Sequence, residues 1–304
     1  MNTKSILLIG SIALDTIKTK YGTRKELLGG SATYAALASS PFVKVNLVGI
    51  IGDDFPIEGK NILKESCNST EDLVVEKGET FRWGGEYHEN GDDRDTLFTN
   101  LGVFENFSPK VSTVNSTPDF IFLANIHPEL QLSILKQCQK KAIVITDSMN
   151  LWIDIARESL LKVLKQTDIL LINQSEVYEL TNNMNMDQSI SQMLEMGPKT
   201  IIVKYGSNGS KMYTHKGESH SIGVINVPKV IDPTGAGDSY GGGLVSALAE
   251  GLKLEDAMVR GTVMASLCIE NFGIESIYSA SHNIITERSK ILHNLQVHEK
   301  NIRK

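Results

Sequence analysis

Six short apolar runs, most of them closing on a polar or charged residue, constrain this chain more than any other feature. They are Ser5 to Gly10, Val45 to Ile50, Asp119-Phe-Ile-Phe-Leu-Ala-Asn125, Ala142-Ile-Val-Ile-Thr-Asp147, Asp168-Ile-Leu-Leu-Ile172 (followed by Asn173-Gln-Ser-Glu176) and Thr200-Ile-Ile-Val-Lys204. Each has the length and composition of a buried strand. Helical patterns stand between them, at about 56–65, 128–140 and 151–165. Regular alternation of this kind predicts an α/β fold with a mainly parallel sheet and helices on both faces. In such a sheet the polar groups at the strand ends face one shared cleft. At 304 residues the chain can form one large α/β domain or two small ones; unbroken alternation favours a single domain over residues 1–304.

Composition then removes several classes of function. A net charge of −6, without a long basic run, argues against nucleic acid as a partner. Cys67, Cys138 and Cys268 lie far apart without a metal-binding spacing, and read as buried thiols of a reducing cytoplasm. The apolar stretch Ile6 to Leu14 lacks a convincing cleavage site and breaks at Asp15, so it reads as a first strand and not as a signal peptide. No apolar segment is long enough to cross a bilayer, so no membrane association is expected.

The most informative stretch is Val230-Ile-Asp-Pro-Thr-Gly-Ala-Gly-Asp-Ser-Tyr-Gly-Gly-Gly-Leu-Val245. A small-residue turn, Gly235-Ala236-Gly237, opens a helix packed through Gly, Ser and Ala. The first amides of such a helix lack intrahelical partners and sit at the positive end of its dipole, which makes an anion site. Asp238 stands at its mouth. A carboxylate is poorly suited to binding an anion, but well suited to taking a proton from a hydroxyl that attacks phosphate. Read as plain structure, Asp238 caps the helix and the glycines permit tight packing. The whole run resembles the second signature of the ribokinase-like, or PfkB, carbohydrate kinase family. That resemblance implies a three-layer α/β sandwich with a small β lid, Asp238 as catalytic base, and the amides of Gly235, Ala236 and Gly237 as the anion hole for the transferred phosphoryl group. Asp232 and Thr234 match one side of the monovalent cation (K⁺) site that some members have.

Other stretches resemble the family as well. Leu28-Gly-Gly-Ser-Ala-Thr-Tyr-Ala-Ala-Leu-Ala is similar to the first signature, which implies that Gly29, Gly30 and Asp15 contact hydroxyls of the acceptor. Asp15 itself reads as a loop residue just beyond the first strand. Many members have asparagine where this chain has Tyr34, and ribokinases have lysine near Ser31; the acceptor site is therefore not that of an ordinary ribokinase. Asn173-x-x-Glu176 reads first as a helix start with a capping acid. It also matches the N-x-x-E motif that organises Mg²⁺ around the nucleotide phosphates. Val203-Lys204-x-Gly206-x-x-Gly209 is hairpin chemistry first; the resemblance implies that Asn173, Lys204, Gly206, Gly209 and Thr234 bind ATP. A salt bridge to a neighbouring acid is the plain alternative for Lys204.

Between Leu73 and Phe98 the pattern changes to alternating, aromatic-rich pieces with a polar loop from His88 to Arg94. This predicts antiparallel strands forming a lid, mainly over about 72–100 with about 12–27. Arg82, Trp83, Tyr87 and His88 are its candidates for touching substrate or a second lid in a homodimer, and Asn125, at a strand end, is a candidate for the acceptor site. Together these features point to an ATP- and Mg²⁺-dependent kinase acting on a primary hydroxyl of a sugar or sugar-like molecule. A nucleoside kinase is the alternative, since an aromatic at 34 suits stacking on a base. A non-catalytic sugar or nucleotide sensor is disfavoured by the presence of Asp238 and the anion-hole residues.

Overall fold

The computed structural model describes residues 4–88 and 93–302. In chain order the strands are β1 (Ile6–Ile9), β2 (Ala13–Thr19), β3 (Gly22–Gly29), β4 (Asn46–Gly52), β5 (Ser69–Glu76), β6 (Arg82–Tyr87), β7 (Arg94–Asn100), β8 (Phe120–Leu123), β9 (Ile143–Asp147), β10 (Ile169–Asn173), β11 (Thr200–Lys204), β12 (Ser210–Thr214) and β13 (Ser219–Ile222). The helices are α1 (Ser31–Ser39), α2 (Ile57–Ser66), α3 (Pro128–Gln137), α4 (Asn150–Ile155), α5 (Arg157–Leu164), α6 (Gln174–Thr181), α7 (Met186–Glu195), α8 (Ala236–Ala249), α9 (Leu254–Cys268), α10 (Glu275–Tyr278) and α11 (His282–Ile302).

Nine strands form one sheet in the order β13-β12-β11-β10-β9-β8-β1-β4-β5. From β11 to β5 every neighbouring pair is parallel; β12 and β13 return antiparallel at one edge. Alternation along β1 shows why the sheet has two covered faces. Ile6 and Leu8 join the core under α1, α8 and α9, while Leu7 and Ile9 join the core on the other side. The strand order reverses at β1, with β4 on one side and β8 on the other, and such a reversal opens a crevice at the strand ends. Helix α8 seats itself deeply because it is nearly side-chain-free on one face: a Cβ at Gly242 would lie 2.2 Å from the Ala35 carbonyl oxygen of α1. Among the described residues no helix is long and apolar enough to cross a membrane.

A second sheet, β3-β2-β6-β7, projects from the large one. Its composition corrects the sequence reading in three places. Residues 72–76, expected to begin the lid, lie in β5, which pairs parallel with β4 as the edge of the large sheet. The expected antiparallel order is broken at the centre, where β2 and β6 run parallel. Asp15, expected in a loop, is inside β2, paired with Leu27 and Trp83. Part of the expected polar tip, 89–92, lies outside the described residues.

Candidate active site

The turn before α8 is held by its own sequence. Gly235 adopts a left-handed conformation (φ 76°), and a Cβ there would lie 2.3 Å from the ring of Tyr34; glycine is the residue that permits both. Thr234, just before it, has each polar group engaged. Its amide donates to Asp232 Oδ1 at 2.9 Å, its carbonyl accepts from Cys268 Sγ at 3.1 Å, and its hydroxyl donates to the Tyr87 phenol at 3.1 Å. Asp232 uses its other oxygen to accept from the Gly273 amide at 2.9 Å. Helix α8 then starts at Ala236, so Gly237 and Asp238 lie in a first turn whose amides have no i−4 carbonyl to bond.

Asp238 is half-buried in this turn. Burial, and then the charge of Asp147, push its pKa up to about 7, with Lys204 and Arg94 pulling the other way. Lys204 closes β11 and reaches across the end of β10 to Asp147, the last residue of β9. Both Asp147 oxygens are 3.0 Å from its Nζ. The side chains are 19% and 4% exposed. Burial disfavours the lysine charge, yet Asp147 and Glu176 more than offset it and its pKa is raised. This ammonium lies against the turn: a Cβ on Gly237 would be 3.2 Å from Nζ. Asn173 and Lys204 are register partners on β10 and β11. Asn173 caps α6, its Oδ1 accepting from the Glu176 amide at 2.9 Å while Glu176 Oε2 accepts from the Asn173 amide at 3.0 Å. The plain reading of this motif is thus present in full. Burial raises the Glu176 pKa to about 7 against the pull of Lys204.

Asp15 approaches the turn from β2. Its Oδ2 would be 1.9 Å from a Cβ on Gly29, and it accepts from the Gly30 amide. Burial, then the charge of Asp232, raise its pKa to about 8. Gly206 and Gly209 shape the exposed β11–β12 turn next to Lys204, both with positive φ.

Three expected residues are placed otherwise than the sequence suggested. Tyr34 is 1% exposed and lies under the Gly235 turn, in the core and not on the open cleft. Arg82 is held by two carboxylates, Glu26 at 3.1 Å and Asp54 at 2.8 Å, and so ties the small sheet to the β4–α2 turn. Asn125 accepts from Trp152 Nε1 at 2.7 Å through Oδ1, and its carbonyl accepts from Ser31 Oγ at 2.9 Å. Two residues were missed as participants. Asp147 was visible as a strand-end acid but had no assigned partner. Arg94, the first residue of β7, sat in a stretch read as a polar loop, yet its charge reaches Asp238 and Glu176.

Comparison with known proteins supplies the family. The pfkB family carbohydrate kinase pattern matches residues 3–280. The chain belongs to this family. The pfkB-family kinases are phosphotransferases, and this chain is therefore an enzyme of the sugar and nucleoside kinase group. It is 28% identical over 254 residues to a nucleoside kinase of Methanocaldococcus jannaschii, covering 83% of this chain and 82% of that one. It is 25% identical over 283 residues to a cytidine kinase of Thermococcus kodakarensis, covering 90% and 98%. The crystal structure of a ribokinase from Cryptococcus neoformans in complex with ADP superposes with a TM-score of 0.77 at 22% identity, over 94% of this chain and 99% of that one. This last likeness is one of fold, and it bears out the expected α/β architecture with a second small sheet.

Proposed function

We propose that this pfkB-family kinase transfers the γ-phosphoryl group of ATP to a primary hydroxyl of a nucleoside, with Asp238 as general base. The observation that carries the reading is the placement of Asp238: half-buried in the first turn of α8, beside Gly237 and the Lys204–Asp147 pair. A base with a pKa near the working pH combines a useful deprotonated fraction with real basicity. The amides of Gly235 and Gly237 meet the charge that builds on the phosphoryl oxygens, in a turn already fixed by Tyr34, Cys268 and Asp232. The Ala236 amide donates to the Pro233 carbonyl at 3.3 Å and would have to leave that bond to join them. Lys204, kept charged by Asp147, neutralises nucleotide phosphate at the same turn. Asp15 and the Gly29–Gly30 turn orient the acceptor, and the small sheet acts as a lid that excludes water as a competing acceptor.

Glu176 supplies a hard carboxylate oxygen beside Lys204, the donor type that Mg²⁺ takes together with waters and phosphate oxygens. Mg²⁺ held there would neutralise charge on the transferred group. Asp232, whose burial raises its pKa and whose oxygens meet backbone amides, is the group beside which a monovalent cation such as K⁺ would sit. The relatives named nucleoside kinase and cytidine kinase favour a nucleoside over the free sugar expected from the sequence. A free sugar is the second reading, favoured by the family pattern itself. A homodimer through the small sheet fits the open edge of β7, where Leu97 and Phe98 are exposed.

The test is ADP release from ATP and Mg²⁺ across cytidine, adenosine, inosine, ribose, fructose, inositol and sugar acids, with Asp238→Asn in parallel. A nucleoside-dependent signal that falls by about 10²–10⁴ in the variant supports the proposal. A signal with free sugars alone moves the assignment to the second reading. A signal unchanged in Asp238→Asn refutes the role of Asp238.

A further inference from the structure

We infer that Tyr87 is a positioning residue that couples the small sheet to the phosphoryl-binding turn through the hydroxyl of Thr234. The inference rests on reading 235–238 as the anion hole, and it adds a device that sets when that hole is in register with the lid.

Tyr87 ends β6, and its phenol meets a residue 147 positions away in sequence. Among the described residues, this is the one hydrogen bond between strands β6 and β7 and the segment 230–238. It falls on a residue with no slack. Thr234 is fixed below by Asp232 and behind by Cys268, and Gly235, which follows, rests on the Tyr34 ring. The hydroxyl is its remaining polar group, and it stands between the Asp232 carboxylate and the Tyr87 phenol of the small sheet. A shift of β6 is therefore passed to Thr234 and, through one peptide unit, to Gly235.

Two further features make the contact more than packing. Burial pushes the Tyr87 pKa up to about 12, so the phenol is neutral at any working pH. Tyr87 is also the cross-strand partner of Arg94, which lies over the Trp83 ring at 5.8 Å. When Tyr87 is engaged, Arg94 is carried to where its charge is felt by Asp238 and Glu176. Disengagement breaks one neutral hydrogen bond and withdraws one cation from the carboxylates. The closed state is held lightly, as a cover that opens at every turnover requires.

Amide hydrogen exchange tests the coupling without reference to any acceptor. Wild type, Tyr87→Phe, Thr234→Val, the double variant and Thr234→Ser would be compared in the absence of ligand. Phenylalanine keeps the ring and removes the phenol. Each single variant is expected to speed exchange about fivefold, the effect of one neutral hydrogen bond, both in 82–88 and 94–100 and in 234–240. The double variant should add nothing to the larger single effect, and Thr234→Ser should restore protection. Acceleration confined to the mutated element, or additive effects in the double variant, overturns the inference. Because exchange is read on the unliganded chain, silence of the ADP-release panel would count against the kinase reading and leave this result standing. With an acceptor in hand, Tyr87→Phe should lower kcat and leave the KM for ATP unchanged; a change in KM alone would overturn the positioning role.

Discussion

Lys204→Met separates the two things that the Lys204–Asp147 pair does. The substitution keeps most of the volume and removes the ammonium. Asp147 is then left buried, 4% exposed, with both oxygens stripped of a partner that stood 3.0 Å away. Removing one member of a buried pair costs about 3–5 kcal/mol, and the 19% exposure of Lys204 argues for the lower end, about 3 kcal/mol. At a urea m-value of about 3 kcal/mol/M this lowers the unfolding midpoint by about 1 M. Asp147→Asn should cost less, because Glu176 remains to face the lysine. The double variant, Asp147→Asn with Lys204→Met, leaves neither member of the pair charged and should recover about 2 kcal/mol of the sum of the single losses. The same variants move Asp238 in opposite directions. Without Lys204 its pKa climbs above 7; without Asp147 it falls. Urea midpoints and the acid limb of kcat/KM for each variant check both statements. Additive losses in the double variant, or limbs that move in the same direction, would refute the argument.

Three further outcomes follow from the same geometry. In the wild-type enzyme kcat/KM should rise with pH as Asp238 and Glu176, both with a pKa of about 7, lose their protons; a pH-independent profile contradicts the general-base role. Asp15 has a folded-state pKa of about 8, above the ordinary 3.8, so the folded chain binds the extra proton and stability is lost as pH rises between those values. Asp15→Asn should thus be near neutral in thermal unfolding at about pH 4 and stabilising at about pH 8, and an equal effect at both would show that Asp15 is not held protonated. Gly235→Ala must place a Cβ 2.3 Å from the Tyr34 ring at φ 76°, and strain of about 1–3 kcal/mol should lower kcat roughly tenfold or more; Gly235→Ala combined with Tyr34→Ala relieves the overlap and should recover part of it.

The strands of the large sheet were legible because burial on two faces leaves a run of apolar residues with no competing explanation, as in Ile201, Ile202 and Val203. The turn at 235–238 was legible because glycine at a helix start has few other uses. Alternation, by contrast, reports which face a residue lies on and not which strand it pairs with, so residues 72–76 looked like lid and proved to be the edge of the large sheet. Asp15 was misplaced for a related reason: β2 buries Ala13, Leu14 and Ile17 but is interrupted by charge, and its register shifts between Asp15 and Ile17. For Asn173 and Glu176 the plain and functional readings are both served by one arrangement, since a carboxylate fixed by a capping box is also a carboxylate held still. Tyr87 and Thr234 meet only through the tertiary fold. No local pattern encodes such a pair.

The register of β9, β10 and β11 has a consequence for how this protein can change length. Asp147 is paired with Leu171, which pairs with Ile202, and Asn173 pairs with Lys204, so strand pairing fixes Lys204 two residues beyond the acid it reaches back to. One residue inserted within 200–204 would turn Lys204 to the opposite face, with the strand's hydrophobic set turned along with it. The same insertion in the return from α6 to β11, in 182–185 or 196–199, alters a surface connection and leaves the pairing untouched. Insertions and deletions are therefore expected to be tolerated in the helical returns and to be lethal to catalysis in five-residue windows of strand, so that a deletion scan along the gene would trace the active site without any substrate being known.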